Sequence, residues 1–251
     1  MSAFFSILRA EPSVRKLTEE LAAEPQQILV HGFAGSLKHA AVAAAYDGAP
    51  RPLVIVTSGR EALRAWQEDL VSLLPEADVY ELPELDRIDF AAPGAAKSLE
   101  RSAQRMNILA RLLRHEPIIV LADIGAAAQK GMSAAEFSRA SLSLRLGESL
   151  PRETLLERLS VLGYEHVSEV EHVGQFSVRG GIVDIFPINA LSPIRVEFFD
   201  AEIDSMREYD PLTKRSIKNI GTASIMPLRT ADDEGEACFL TYLGHAGATV
   251  F

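Results

Sequence analysis

The 251-residue sequence predicts an α/β protein: a parallel-sheet domain followed by a smaller α+β domain. Two patterns carry that reading. In the first half, continuously apolar runs of strand length, Leu53-Val-Ile-Val56 and Ile118-Ile-Val-Leu-Ala122, alternate with helical stripes, the mark of a parallel sheet covered on both faces. After about Gly131 the strands become short and alternate polar with apolar residues, as half-solvated antiparallel sheets do. A hydrophobic fraction of 47% is ample for packed cores at this length.

The elements follow in order. Val14, Leu17 and Leu21 recur at helical spacing, with Ser13 placed to cap the segment after Pro12. A strand at Ile28-Leu-Val30, a glycine-containing turn and an alanine-rich segment through Tyr46 lead to the strand at 53–56. Leu63, Trp66, Leu70 and Leu74 mark a helix that Ser58 is placed to cap, and a later helix around 98–113 buries Met106, Leu109 and Leu113. The strand at 118–122 completes the first domain, residues 1–133. In the second, residues 134–226, a polar helix start precedes Leu142, Leu144 and Leu146 in alternation. Pro151 then opens a helix with Leu155, Leu156, Leu159 and Leu162 inward and Gly163 at its end. Residues 227–251 read as the start of a return to the first domain, so that the chain looks like an excised piece ending inside that return.

The segment Phe176-Ser-Val-Arg-Gly-Gly-Ile-Val-Asp-Ile-Phe-Pro187, followed by Pro193-Ile-Arg-Val-Glu-Phe-Phe-Asp200, is the most specific. Alternation puts Ile194, Val196 and Phe198 on the core face and Arg195, Glu197 and Phe199 on the other, with Asp200-Ala201 as a hairpin turn. A bland reading is a solvated face with cross-strand ion pairs. A phenylalanine facing outward beside two arginines, Arg179 and Arg195, fits a recognition surface, because interfaces are enriched in aromatic and Arg anchors.

Composition and motifs narrow the chemistry. A net charge of −10 disfavours a sequence-independent hold on nucleic acid, and the single Cys238 excludes an intrachain disulfide and points to a reducing, cytoplasmic setting. No apolar run approaches the ~20 residues of a membrane span. The histidines, among them His31, His166 and His172, lack metal-binding spacing, and Asp123 is followed by Ile124 where a motor enzyme would carry a second acid. No nucleophile elbow is present, so neither a catalytic residue, a metal nor a cofactor is expected. Gly32-Phe-Ala-Gly-Ser-Leu-Lys-His39 lies between strand and helix with the spacing of a phosphate-binding loop. Leu37 stands where the glycine before the lysine is needed, and His39 where a hydroxyl would hold Mg²⁺. Gly32, Gly35, Ser36 and Lys38 are therefore read as a vestigial nucleotide loop, a degenerate P-loop that Lys38 alone cannot restore.

The order R-G-x-x-x-D-x-F-P, then R-x-[DE]-F-F, resembles the UvrB-homology module at the N-terminus of bacterial transcription-repair coupling factors (Mfd). The degenerate loop, the 118–122 strand and Thr213-Lys-Arg-Ser216 agree with it. The resemblance implies a helicase-like fold that has lost its nucleotide site. It also implies a non-catalytic adaptor that recruits UvrA, the damage-recognition ATPase, through the positions matching Arg179, Arg195 and Phe199, with Glu197 beside them. RNA polymerase and DNA would be met by other domains of the full-length translocase. In UvrB, the region matching Leu82–Pro93 is an aromatic-rich, strand-separating hairpin; here only Phe90 is aromatic, too few ring faces to stack on bases. The alternative reading is an ATP-hydrolysing fragment of a UvrB-type helicase.

Overall fold

The computed structural model describes residues 2–22, 30, 32–85, 95–228 and 237–251. Residues 28 and 29 of the strand expected at 28–30, His31 and most of the 82–93 loop, Phe90 included, lie outside the described residues; Val30 is exposed and in no strand. The chain divides into two compact units: residues 1–82, 108–129 and 239–251 form one, and residues 83–107 and 130–238 the other.

The first unit opens with α1 (Ser2–Ala10) and α2 (Pro12–Ala22). Periodicity locates α2 and misses α1. The cap also differs from expectation: Glu11, not Ser13, closes the start of α2, its carboxylate accepting from the amides of Ser13 and Val14 at 2.8 and 3.1 Å. A carboxylate there satisfies two of the orphan donors and sits at the positive end of the helix dipole. Next come α3 (Leu37–Gly48), β1 (Leu53–Thr57), α4 (Arg60–Leu73), β2 (Val79–Glu81) and α5 (Ala95–Leu113), whose residues up to 107 count with the second unit. They are followed by β3 (Ile119–Asp123) and the short α6 (Ile124–Ala128).

In the sheet of the first unit, β1 pairs in parallel with β3, β3 with β2, and the strand Thr249–Val250 with the other side of β1. Leu53, Val54, Ile55 and Ile118–Ala122 are all buried. That is why these strands read as unbroken apolar runs. The stripe Leu63, Trp66, Leu70 and Leu74 is buried as its spacing requires. Two details depart from expectation. Ser58 does not cap α4; Gly59 holds that place without a side-chain bond. On α5, Leu112 is fully buried and Leu113 only partly. Asp123, at the end of β3, caps α6 by accepting from the Ala126 amide at 2.8 Å, a structural use for that acid.

The second unit contains β4 (Lys130–Gly131), α7 (Ala134–Ala140), β5 (Leu142–Arg145) and α8 (Arg152–Val161). Ser133 and Glu136 form a reciprocal capping box at α7. Pro151 stands at the start of α8. At its end Gly163 takes φ 90°, with its amide bonded to the Ser160 carbonyl and that of Tyr164 to Leu159, a closure that favours glycine. Leu155, Leu159 and Leu162 are buried and Leu156 partly so, whereas Leu146 is exposed: β5 ends at Arg145, before the alternation reaches it.

The remaining strands are β6 (Glu165–His166), β7 (Gln175–Arg179), β8 (Ile182–Ile185), β9 (Ile194–Phe199), β10 (Glu202–Tyr209), β11 (Ser216–Asn219) and β12 (Thr222–Ile225). Strands β6 to β11 build one six-stranded sheet in chain order, antiparallel except for β6 against β7, and β12 pairs with β5. Val183, Ile185, Ile194, Val196, Ile203 and Met206 line its core face. Asp200-Ala201 is the hairpin turn between β9 and β10, with Phe199 opposite Glu202 and Asp200 at φ 56°. Gly181 is required by contact: a Cβ there would lie 2.9 Å from the Phe198 carbonyl oxygen, a backbone atom that cannot step aside. The chain closes with β13 (Ala237–Cys238), paired with β4, then α9 (Phe239–Ala246) and β14 (Thr249–Val250).

Candidate functional site

Pairing across the six-stranded sheet fixes what shares its outward face. Arg179 is opposite Ile182, Ile182 opposite Glu197, and Glu197 opposite Ser205; in the neighbouring row Ser177 faces Asp184, Asp184 faces Arg195, and Arg195 faces Arg207. Directly opposed residues in antiparallel strands project to the same side. Arg179, Arg195, Glu197 and Phe199 therefore stand on one face, as alternation predicts. Arg179 lies two strands from Glu197, on the order of 10 Å at normal strand spacing.

Their circumstances differ. Arg195 holds Asp184 bidentately, Nε to Oδ1 and Nη2 to Oδ2, both at 2.7 Å. Asp184 is only 7% exposed, so the pair neutralises a carboxylate buried in the middle of the sheet. The guanidinium also lies over the ring of Tyr209, 4.8 Å from its centroid. Burial, with the nearby Asp184 charge, pushes the Tyr209 phenol far up, so it stays neutral. Arg195 is thus committed to its own sheet. The alternation of one strand reveals the face on which an arginine sits and not the carboxylate it meets on the next.

Glu197 is likewise occupied. It accepts from the Ser205 hydroxyl at 2.8 Å and is bonded to Arg207. The Ser205 bond, and after it Arg207, hold its carboxyl below the ordinary value against an opposing push from burial. Asp184, Tyr209, Ser205 and Arg207 are the members of this face that strand-by-strand reading misses. Their only signal was position: Asp184 stands within the R-G-x-x-x-D motif.

Arg179 and Phe199 are the exposed pair. Phe199 is 77% exposed at the hairpin end of β9. Arg179 is exposed and donates from Nη2 to the Ser168 carbonyl at 3.2 Å. The segment around Ser168 to Val170 crosses beside it, anchored by Lys214, which pairs with Glu169 at 3.0 Å and donates to the Val170 carbonyl at 3.3 Å.

The expected nucleotide loop lies in the first unit. Gly32 and Gly35 take φ of 90° and 56°, and Ser36, Leu37 and Lys38 are exposed. His39 is buried, its Nδ1 2.6 Å from Asp69 and its ring 4.0 Å from that of Trp66 on α4. Hydrogen bonds from the side chains of His39 and then Ser36 hold the Asp69 carboxyl below its ordinary range. Among the described residues no cluster of three or more His, Cys, Asp or Glu is placed to hold a metal ion, and no helix is long and apolar enough to cross a membrane.

Residues 142–230 match the family described as the UvrB interaction domain. The chain is similar to the transcription-repair-coupling factor of Bacillus subtilis (strain 168), 30% identical over 201 residues, which are 80% of this chain and 17% of that protein. Those of Staphylococcus aureus (strain bovine RF122 / ET3-1) and Staphylococcus haemolyticus (strain JCSC1435) are 30% and 29% identical over 78% and 80% of this chain. The chain spans about a sixth of the length of these relatives, 17% in each case.

Two outcomes follow from the geometry of this face. Arg195→Ala leaves the Asp184 carboxylate buried without its partner and is expected to cost about 2–4 kcal/mol in urea unfolding, with part recovered by adding Asp184→Asn. An unchanged urea midpoint would show that the pair holds nothing. For Glu197, a folded pKa below the unfolded value near 4.5 means that its contribution is complete above that value and is lost as pH falls through the lower folded one. The stability gap between the wild type and Glu197→Gln should therefore be full at neutral pH and close on acidification; a gap that widens in acid would contradict the assignment.

Proposed function

We propose that the chain, with a match to the UvrB interaction domain at residues 142–230 and sequence similarity over four fifths of its length, belongs with the UvrB-homology modules of transcription-repair-coupling factors and is a non-catalytic adaptor that recruits UvrA in transcription-coupled nucleotide excision repair. The observation that carries this reading is Phe199. A phenyl ring 77% exposed on a sheet face, in line with Glu197 and Arg195 and sharing that face with the exposed Arg179, has no role in its own core. Such a ring beside a guanidinium gives a partner both apolar area to bury and a planar donor for its carboxylates.

The roles within the surface are unequal. Arg179 and Phe199 are the direct anchors. Arg195 and Glu197 shape the face between them, and their loss would act on binding partly through the sheet, since Arg195 is bound to Asp184 and Glu197 to Ser205 and Arg207. In this reading the contacts of the relatives with RNA polymerase and DNA belong to the parts of those longer proteins that the chain does not span.

The first unit acts as a degenerate P-loop domain. Support comes from the side chain at the Mg²⁺-binding position: His39 is buried against Trp66 and bound to Asp69, which also takes the Ser36 side chain. Both are engaged with α4, and Leu37 puts a side chain where the amides of a working loop must approach the phosphates. Lys38 is exposed.

Titration of UvrA with single variants tests the surface. Arg179→Ala and Phe199→Ala should each weaken binding by about 1–4 kcal/mol while the thermal midpoint stays near that of the wild type, as expected for exposed anchors. Unaltered UvrA capture by the double variant would overturn the reading. Calorimetric titration with Mg-ATP should give no saturable heat; micromolar binding abolished by Lys38→Ala would instead establish a working nucleotide site.

A further inference from the structure

The turn between Arg179 and Phe199's neighbour strand is held from outside the sheet. Gly180, at φ 60°, directs its carbonyl to Nη1 of Arg152, a residue at the first position of α8 and 28 residues away in sequence. The same guanidinium bonds Glu153 through Nη2 at 2.6 Å. Gly181 closes the other side of the turn, its carbonyl accepting from the Phe198 amide at 2.8 Å, with no room for a Cβ. The two-glycine turn thus lies between the backbone at Phe198 and the side chain of Arg152.

Arg152 is poorly placed with respect to the dipole of its own helix. A cation in the first turn faces the positive end of the helix dipole, where Glu153 is the favoured type. Its Nε is moreover buried without a hydrogen-bond partner among the described residues, a cost that native structures carry where a group is fixed for another reason. What the side chain gains in return, besides the pair with Glu153, is the Gly180 carbonyl.

Resting on the reading of Arg179 and Phe199 as anchors, we propose that Arg152 is a positioning residue for that surface: by clamping the Gly180 carbonyl it fixes the turn from which Arg179 leaves β7 and against which the end of β9, with Phe199, is registered. Two glycines in succession are the most freely moving linkage the chain can offer, so without the clamp the spacing of the two anchors is spread over many turn conformations. A surface already in its bound geometry does not lose that freedom on binding. Arg152 acts through the turn and need not touch the partner.

The test uses the whole chain, free and with UvrA. In Arg152→Ala, amide hydrogen exchange should accelerate at Gly180, Gly181 and Ile182, with the urea midpoint and the exchange of β1 and β3 unchanged, and UvrA should bind about three- to tenfold more weakly. Arg152→Lys, which can reach the carbonyl without the planar fork, should restore part of both. In the Arg179→Ala, Phe199→Ala background the Arg152→Ala change should add nothing. Unchanged exchange at the turn would overturn the proposal without touching the function reading, as would a loosened turn with undiminished affinity while Arg179→Ala still weakens binding. A full additive loss in the double-anchor background would mean that Arg152 contacts UvrA itself and is no positioning residue. If neither Arg179→Ala nor Phe199→Ala affects UvrA, the function reading fails and this inference with it.

Discussion

The outward face of the six-stranded sheet depends on one charge pair, Asp184 with Arg195. A carboxylate 7% exposed in the middle of a sheet is tolerable only when a donor of matched geometry meets it, and the two 2.7 Å bonds of Arg195 do so. The pair sits on directly opposed residues of β8 and β9, so it also sets their register: a slip of one residue would put Arg195 opposite Val183 and Asp184 opposite Ile194. Everything further along β9 inherits that register. Glu197 arrives opposite Ser205, and Phe199 at the end of the hairpin.

This pairing divides the face into side chains already used and side chains to spare. Arg195 lies over Tyr209, Glu197 is bound by Ser205 and Arg207, and Lys214 ties the Glu169 segment down. Each satisfies a neighbour and stiffens the platform. Against that background, among the described residues, Phe199 has no such partner in the sheet, and Arg179 is exposed and donates to the Ser168 carbonyl at 3.2 Å. A sheet face that presents an exposed aromatic ring and a guanidinium suits association with a partner.

Much of the fold was legible because the strongest signals are periodic. Buried parallel strands leave unbroken apolar runs, as at Ile118 to Ala122, and helices leave stripes, as at Leu63, Trp66 and Leu70; both survive into the structure. The Pro151 start, the Gly163 end and the Asp200-Ala201 turn were readable because each depends on the local backbone alone. Caps were less so. Glu11 outcompeted Ser13, and Gly59 displaced Ser58, because several polar residues near a helix start can fill the same role. At the site, period-two alternation assigned Arg195, Glu197 and Phe199 to a face but carried nothing about the adjacent strands. Whether an arginine is free or paired is decided by register between strands, and Asp184 lies eleven residues away.

The buried imidazole of His39 constrains how the chain can drift. Its ring fills the space beside Trp66, and with Ser36 it supplies the bonds that keep Asp69 satisfied. A small hydroxyl residue at position 39 would open a void against Trp66 and withdraw a donor from Asp69 in one step, so positions 39, 66 and 69 are tied by epistasis. A nucleotide loop built at this position would need the packing of α3 on α4 rebuilt before phosphate binding could follow.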